Sequence, residues 1–123
     1  MKNKILYVDD EESNLRIFKD TFRRDFEIIT AISAFEALKY LEKELVDVVI
    51  TDQRMPGMTG VELLREINLR YTDIPPQRLI LSGYAEDIEI KKAFNQYKLS
   101  KFIPKPWDYD ELKKIIVNSI KDS

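Results

Sequence analysis

Five short apolar runs alternate along the chain with five stretches that have the periodicity of amphipathic helices. The runs cover residues 4–8, 26–30, 47–51, 78–81 and 101–103, and we predict that they form strands β1 to β5. The predicted helices are α1 (13–24), α2 (opening at 33–36), α3 (opening at 59–62), α4 (85–97) and α5 (opening at 108–111). Strict alternation requires parallel strands joined by crossover helices, so we predict an α/β fold with helices on both faces of the sheet. The common doubly wound order for five such units is 2-1-3-4-5.

Local signals mark the ends of several elements. The pairs Ser33/Glu36 and Thr59/Glu62 have the spacing of a capping box, and the Asp108/Glu111 pair is a similar helix start. We expect Leu45 to continue the apolar face of α2. The charged Glu27 within β2 favours an edge strand, and Pro75-Pro76 predicts a loop over 71–77.

Composition excludes several classes of site. The chain of 123 residues contains no cysteine and no histidine. Disulfides, thiolate or imidazole metal ligands and a phosphohistidine within the chain are therefore excluded. The formal net charge of −2 gives no reason to expect nucleic-acid binding. Because no apolar run approaches the length of a membrane span, we expect a cytoplasmic protein without membrane contacts.

Polar side chains follow four of the five predicted strands. Asp9 and Asp10 follow β1, Asp52 follows β3, Ser82 follows β4 and Lys105 lies just beyond β5. Each alone has an ordinary explanation, since aspartate caps helices, serine forms turns and most lysines are solvated. Together they predict a site, because the carboxyl ends of parallel strands meet at one edge of the sheet, where ligands bind in such folds.

The chemistry of this set points to phosphoryl transfer. Three close carboxylates repel one another unless a cation is present. Mg²⁺ suits carboxylate, carbonyl and water oxygens, and Mn²⁺ is the alternative. A phosphoryl group on Asp52 would meet the metal, the Lys105 ammonium and the Ser82 hydroxyl, and aspartate does act as a phosphoryl acceptor.

Four motifs carry a resemblance to a known family. They are Tyr7-Val8-Asp9-Asp10-Glu11, the stretch from Thr51 to Gly60 (TDQRMPGMTG), Leu81-Ser82-Gly83-Tyr84 and Lys105-Pro106-Trp107. In order and spacing the whole chain resembles the receiver domains of bacterial response regulators, the signalling proteins of two-component and phosphorelay systems. The resemblance implies a flavodoxin-like (βα)5 fold and a single receiver domain over 1–123. Truncation from a longer chain with a C-terminal output domain stays open.

The resemblance also implies roles for residues of the site. Asp52 would be the phosphoacceptor, making this a phosphoprotein that carries an aspartyl phosphate. Asp10, Asp52 and the backbone carbonyl of Arg54 would bind Mg²⁺ directly, and Asp9 would bind it through water. Lys105 would bind the phosphoryl group, and the Lys105–Pro106 peptide bond would be cis.

Further implied roles concern the signal. Ser82 and Phe102 would be the switch residues, and the α4–β5–α5 face would change on phosphorylation. Arg54 and Tyr84 would tune the phosphoryl lifetime, with Tyr84 shielding the acyl phosphate from water. The donor would be a sensor histidine kinase or a histidine phosphotransfer protein. The target would be an output domain or downstream protein, and phosphorylation-dependent homodimerisation through the α4–β5–α5 face is a further expectation.

Three alternative functions are possible for a chain with this pattern. A Mg²⁺-dependent aspartyl-phosphate phosphatase of the haloacid-dehalogenase type needs an acid two residues after the nucleophile, and Arg54 stands there. A flavin-phosphate module needs an anion-binding first loop, whereas this chain has Asp9-Asp10-Glu11-Glu12. A non-phosphorylated interaction domain would not need the acid, serine and lysine set. We therefore predict a phosphoacceptor signalling domain with slow autodephosphorylation rather than a turnover enzyme.

Overall fold

The sheet has five parallel strands. Our computed structural model describes residues 2–71, 77–83 and 101–121, and gives only the backbone of Ser82 and Lys101. The strands are β1 (Lys4–Val8), β2 (Glu27–Ala31), β3 (Val48–Asp52), β4 (Gln77–Ser82) and β5 (Lys101–Pro104). Their order is β2-β1-β3-β4-β5, and each neighbouring pair is parallel. The predicted α/β fold, strand order and edge position of β2 are confirmed.

Helices cover both faces of this sheet. They are α1 (Glu12–Phe22), α2 (Ala34–Leu41), α3 (Gly60–Arg70) and α5 (Tyr109–Lys121). The predicted α4 over 85–97, the predicted loop residues 72–76 and Tyr84 lie outside the described residues. Within the described part of the chain, no helix is long and apolar enough to cross a membrane.

Side-chain alternation divides the core into two layers. Leu6 and Val8 of β1 pack on one face with apolar residues of α2 and α3. Ile5 and Tyr7 point to the opposite face, where they pack with residues of α1 and α5. Because strand residues alternate between faces, Asp9 continues on the side of Tyr7, next to α1.

The predicted helix caps are confirmed in two cases and half correct in the third. Thr59 and Glu62 form a reciprocal capping box, and the Asp108 carboxylate accepts a hydrogen bond from the Glu111 N–H. The Ser33 hydroxyl accepts from the Glu36 N–H, but the Glu36 carboxylate accepts from the N–H of Ile32 rather than that of Ser33.

Some predicted boundaries were wrong. Leu45 is 73% exposed because α2 ends at Leu41. Three residues beyond that end, Glu44 accepts a hydrogen bond from Tyr40 and forms an ion pair with Lys4 of β1, which turns the chain back toward the sheet. Gln77, predicted in a loop, begins β4 instead, where it pairs with Val48.

Glycine is required where α3 meets the end of β3. A Cβ atom on Gly60 would lie 2.5 Å from the carbonyl oxygen of Asp52 and 3.1 Å from the Cα of Gln53. The first obstacle is backbone and cannot rotate away. The absence of a side chain at Gly60 therefore lets the helix pack directly behind Asp52.

We predict that Gly60→Ala lowers the free energy of unfolding by about 1–3 kcal/mol, the range typical of overpacking. Urea unfolding of both proteins measures the difference. Gly83→Ala is the matched control, since a Cβ on Gly83 would meet no described atom within 4 Å. Equal stability of Gly60→Ala and wild type would contradict the packing argument.

Candidate functional site

Three carboxylates meet at the carboxyl edge of the sheet. Val8 pairs with Thr51 across β1 and β3, so the residues that follow them, Asp9 and Asp52, are neighbours. One oxygen from each of Asp9, Asp10 and Asp52 lies within 4.8 Å of the others. Asp9 and Asp52 are 1% and 7% exposed, while Asp10 reaches solvent. The predicted convergence of the three acids is confirmed.

Lys105 provides the positive charge at this site. It follows β5, and its side chain crosses the end of β4 to place Nζ 2.5 Å from Oδ1 of Asp52. The Lys105–Pro106 peptide bond is cis, as the family resemblance implied. Although most lysines are solvated, Lys105 therefore pairs with the buried aspartate.

Asp9 is held by three donors of its own chain. The Tyr7 hydroxyl donates to Oδ2 over 2.9 Å, and the Asn14 side-chain amide donates to the same oxygen over 3.2 Å. The backbone N–H of Glu11 donates to Oδ1 over 3.0 Å. Tyr7 and Asn14 were not predicted to take part in the site. The two-residue spacing of Tyr7 and Asp9 along one strand was a signal that could have indicated the first contact.

Burial dominates the electrostatics of Asp52. Loss of solvent raises the pKa of its carboxyl above the ordinary value, although the hydrogen bond and charge of Lys105 act in the opposite direction. The charges of Asp9 and Asp10 add to the rise. Burial also raises the pKa of the Tyr7 hydroxyl well above its usual range, and the neighbouring Asp9 reinforces this effect. Tyr7 is therefore a neutral donor at physiological pH.

The loop behind Asp52 is anchored by backbone hydrogen bonds. The buried side-chain oxygen of Gln53 accepts a hydrogen bond from the N–H of Val61 over 2.9 Å. The backbone carbonyl of Gln53 accepts a second one from the N–H of Gly60 over 3.0 Å. Gly57, at a φ of +82°, makes the turn that begins the return toward α3. Arg54 lies in this loop with an exposed side chain, and the ligand role of its carbonyl stays a prediction.

The predicted switch residues lie on β4 and β5. Ser82 ends β4 at the same edge as the acids and pairs with Pro104. Phe102 lies opposite Ile80, is partly buried and packs against the core layer that contains α3. The switching roles of Ser82 and Phe102 and the lifetime roles of Arg54 and Tyr84 remain predictions.

Comparison with known proteins decides the family. The family model described as the response regulator receiver domain matches residues 5–117. The chain belongs to this family. The receiver domain of an HD domain-containing protein from Pseudomonas fluorescens superposes with a TM-score of 0.91 at 28% identity, covering 99% of this chain and 97% of that one.

Curated relatives are response regulators of different lengths. The hydrogenase transcriptional regulatory protein HoxA of Bradyrhizobium diazoefficiens is 34% identical over 98% of this chain, which spans only 24% of HoxA. Sporulation initiation phosphotransferase F of Bacillus subtilis is 29% identical over 94% of this receiver domain and 92% of its own length. The family thus includes proteins of about this size and proteins with much additional sequence.

The acidic cluster of this receiver domain fits a hard divalent cation. Its carboxylate oxygens come from two neighbouring strand ends and converge within 4.8 Å of one another. Carboxylate oxygens, together with waters retained at the solvent-exposed Asp10, are the ligands that Mg²⁺ prefers. The residues present could therefore hold the metal that the family implies.

We predict that Asp52→Asn stabilises the metal-free domain at neutral pH by more than the roughly 0.5 kcal/mol of ordinary surface substitutions. A carboxyl with a raised folded-state pKa costs stability when it is ionised. That cost disappears as pH falls through the folded pKa toward the unfolded value, so the gain should vanish in acid. Urea unfolding in EDTA at several pH values measures it.

The control for this measurement is Asp20→Asn, at an exposed position of α1. This variant also removes one negative charge, but the charge is exposed rather than buried. A lower stability of Asp52→Asn at neutral pH would mean that the ion pair with Lys105 outweighs the burial of Asp52.

Proposed function

We propose that this receiver domain accepts a phosphoryl group on Asp52 from a phosphohistidine of a partner protein, in a Mg²⁺-dependent reaction. The observation that supports this most directly is the pairing of buried Asp52 with Lys105 beside two further carboxylates. The whole chain would act as one receiver domain, and the donor would be a sensor histidine kinase or a histidine phosphotransfer protein.

In the proposed transfer, the carboxylate of Asp52 is the group of this protein that forms a covalent bond. The N–P bond of the phosphohistidine breaks, a bond forms between an Asp52 oxygen and phosphorus, and the imidazole nitrogen keeps the electron pair of the broken bond. Positioning and charge stabilisation account for most of the catalysis in such reactions. Hydrolysis of the aspartyl phosphate would later release inorganic phosphate slowly, which makes the domain a signalling acceptor rather than a turnover enzyme.

Lys105 would follow the charge as it moves. In the unphosphorylated domain its ammonium contacts the Asp52 carboxylate. The same flexible side chain can shift to the oxygens of the incoming phosphoryl group without leaving the site. Asp10, Asp52 and the Arg54 carbonyl would hold Mg²⁺, with Asp9 acting through water, and the metal when bound would neutralise the remaining charge on the phosphoryl oxygens.

A cleft beside the site suits the approach of a partner. It has a volume of about 520 Å³ and is lined by Tyr7, Asn14, Ile17, Lys105, Pro106 and Trp107. Ile17 is 56% exposed, so the cleft has an apolar rim on α1 next to the lysine. We propose that the segment carrying the phosphohistidine docks here.

The test is the intact mass of the domain after incubation with Mg²⁺ and phosphoramidate. We expect a single, base-labile phosphoryl adduct on wild type, no adduct on Asp52→Asn and none with EDTA. Lys105→Ala should slow its formation by about 10²-fold, the loss typical for one charge-stabilising group. An adduct on Asp52→Asn would place the acceptor elsewhere, and an adduct in EDTA would refute the metal requirement.

Lys113→Ala is the matched control for Lys105→Ala. Lys113 also pairs with an aspartate, since its Nζ lies 3.0 Å from Oδ1 of Asp25, but Asp25 is not part of the acidic cluster. This variant should be phosphorylated at the wild-type rate. Sustained turnover of a phosphomonoester by wild type would instead favour the phosphatase alternative.

The signal would leave through the α4–β5–α5 face. Ser82 would move toward a phosphoryl oxygen, and Phe102, which is partly buried, would fill the space. A hydrogen bond to a charged group contributes about 1.5–3 kcal/mol. This is enough to shift a nearly balanced equilibrium, and an output domain, a downstream protein or a second copy would read the new surface.

We predict that Ser82→Ala still accepts the phosphoryl group but loses the conformational response. The measurement is the phosphorylation-dependent change in amide chemical shifts over 101–121, recorded by NMR for the variant and wild type. Shifts that respond as strongly in Ser82→Ala as in wild type would show that the hydroxyl does not drive the switch.

A further inference from the structure

Tyr7 is buried and points into the acidic site. Tyr7 is 2% exposed, and its hydroxyl donates to Oδ2 of Asp9 over 2.9 Å. The ring stacks on Phe18 of α1, with centroids 4.0 Å apart and planes 4° from parallel. Neighbouring aromatic residues of α1 and the loop after β5 hold Phe18 in turn. The hydroxyl is thus presented at a fixed place by a packed aromatic group.

We infer that Tyr7 is a positioning residue for cation binding, which acts by fixing the Asp9 carboxylate against the other two acids. This inference rests on the proposed Mg²⁺ site and assigns it a residue that does not touch the metal.

The hydrogen-bond geometry supports this role. Oδ2 of Asp9 accepts from Tyr7 and Asn14, and Oδ1 accepts from the Glu11 N–H. Donors on both oxygens fix the rotation of the carboxylate and compensate a charge that is 1% exposed. Oxygens occupied in this way suit contact with a cation through water. Groups that orient such carboxylates commonly change metal affinity when they are removed.

Tyr7 differs from Asn14 in how firmly it is held. Asn14 lies on the partly exposed first turns of α1 and also donates to the Glu11 carboxylate over 3.4 Å. The Tyr7 ring has no such alternative, because it is packed between Phe18 and the sheet. The tyrosine therefore sets the position of Asp9, and the asparagine adds to it.

The experiment is calorimetric titration of Mg²⁺ into wild type and Tyr7→Phe, without any phosphodonor. The substitution keeps the ring and removes only the donor, so we expect the dissociation constant to rise about tenfold, the lower end of the effect of ligand-orienting groups. Tyr109→Phe is the matched control. The Tyr109 hydroxyl also donates to an aspartate, Asp25, over 2.7 Å, but Asp25 lies outside the acidic cluster. The Mg²⁺ affinity of Tyr109→Phe should therefore equal that of wild type.

A double-mutant cycle separates positioning from a general effect on the fold. If Tyr7 acts through Asp9, then Tyr7→Phe should have no further effect on Mg²⁺ affinity in an Asp9→Asn background. Equal losses in both backgrounds, or wild-type or tighter binding by Tyr7→Phe, would overturn the inference. Should Tyr7→Phe not fold, Asn14→Ala removes the other donor to that oxygen. If Tyr7 sets the position of Asp9, this variant should lose much less than about tenfold in Mg²⁺ affinity, and a loss of about tenfold or more would overturn the inference.

Failure of the underlying function gives a different result. If wild type itself bound no Mg²⁺, the proposed metal site would be refuted together with the role of Tyr7. Normal binding by wild type with unchanged binding by Tyr7→Phe would refute only the positioning role.

Discussion

Mutual repulsion among three carboxylates, two of them buried, is the constraint that the surrounding structure must satisfy. Asp9 and Asp52 are adjacent because β1 and β3 are neighbours in the sheet, and Asp10 follows directly. The chain compensates these charges from two directions. Donors from β1 and α1 surround Asp9, while a lysine from the loop after β5 reaches Asp52. Hydrogen bonds and an ion pair to these carboxylates therefore connect residues that are far apart in sequence at one edge of the sheet.

Much of this arrangement could be predicted from the sequence because it depends on strand ends. Five apolar runs alternating with helices determine a parallel sheet, and the residues after each run must then share an edge. What could not be predicted depends on side-chain reach and on tertiary contacts. Lys105 was predicted at this edge, but its direct ion pair with Asp52 depends on a side chain long enough to reach across β4. The contact of Asn14 with Asp9 depends on the orientation of α1. Leu45 was misplaced because apolar periodicity continues beyond Leu41, where the contacts of Glu44 with Tyr40 and Lys4 turn the chain.

The two sides of Asp52 are built differently. Behind it, the carbonyl and side chain of Gln53 accept from the first N–H groups of α3, and Gly60 packs against the Asp52 carbonyl. On the side of β4 and β5, its carboxylate meets a long lysine side chain. A backbone anchored by helix N–H groups resists displacement, whereas a lysine changes rotamer at little cost. Under the proposed function, a change of charge on Asp52 would therefore act first on the side of β4 and β5, where Ser82 and Phe102 lie.

The two buried aspartates also differ in the partners that hold them, and this difference suits different tasks. Both oxygens of Asp9 are engaged by donors from rigid parts of the fold, namely a stacked tyrosine, a backbone N–H and a helix side chain. Such a carboxylate is suited to steadying a cation and poorly suited to forming a new bond, since attack would break its hydrogen bonds. Asp52 is paired instead with the ammonium group of Lys105, on a flexible side chain. Under the proposed function, the two neighbouring carboxylates would thus divide the work, with Asp9 in a fixed electrostatic role and Asp52 in the reactive one.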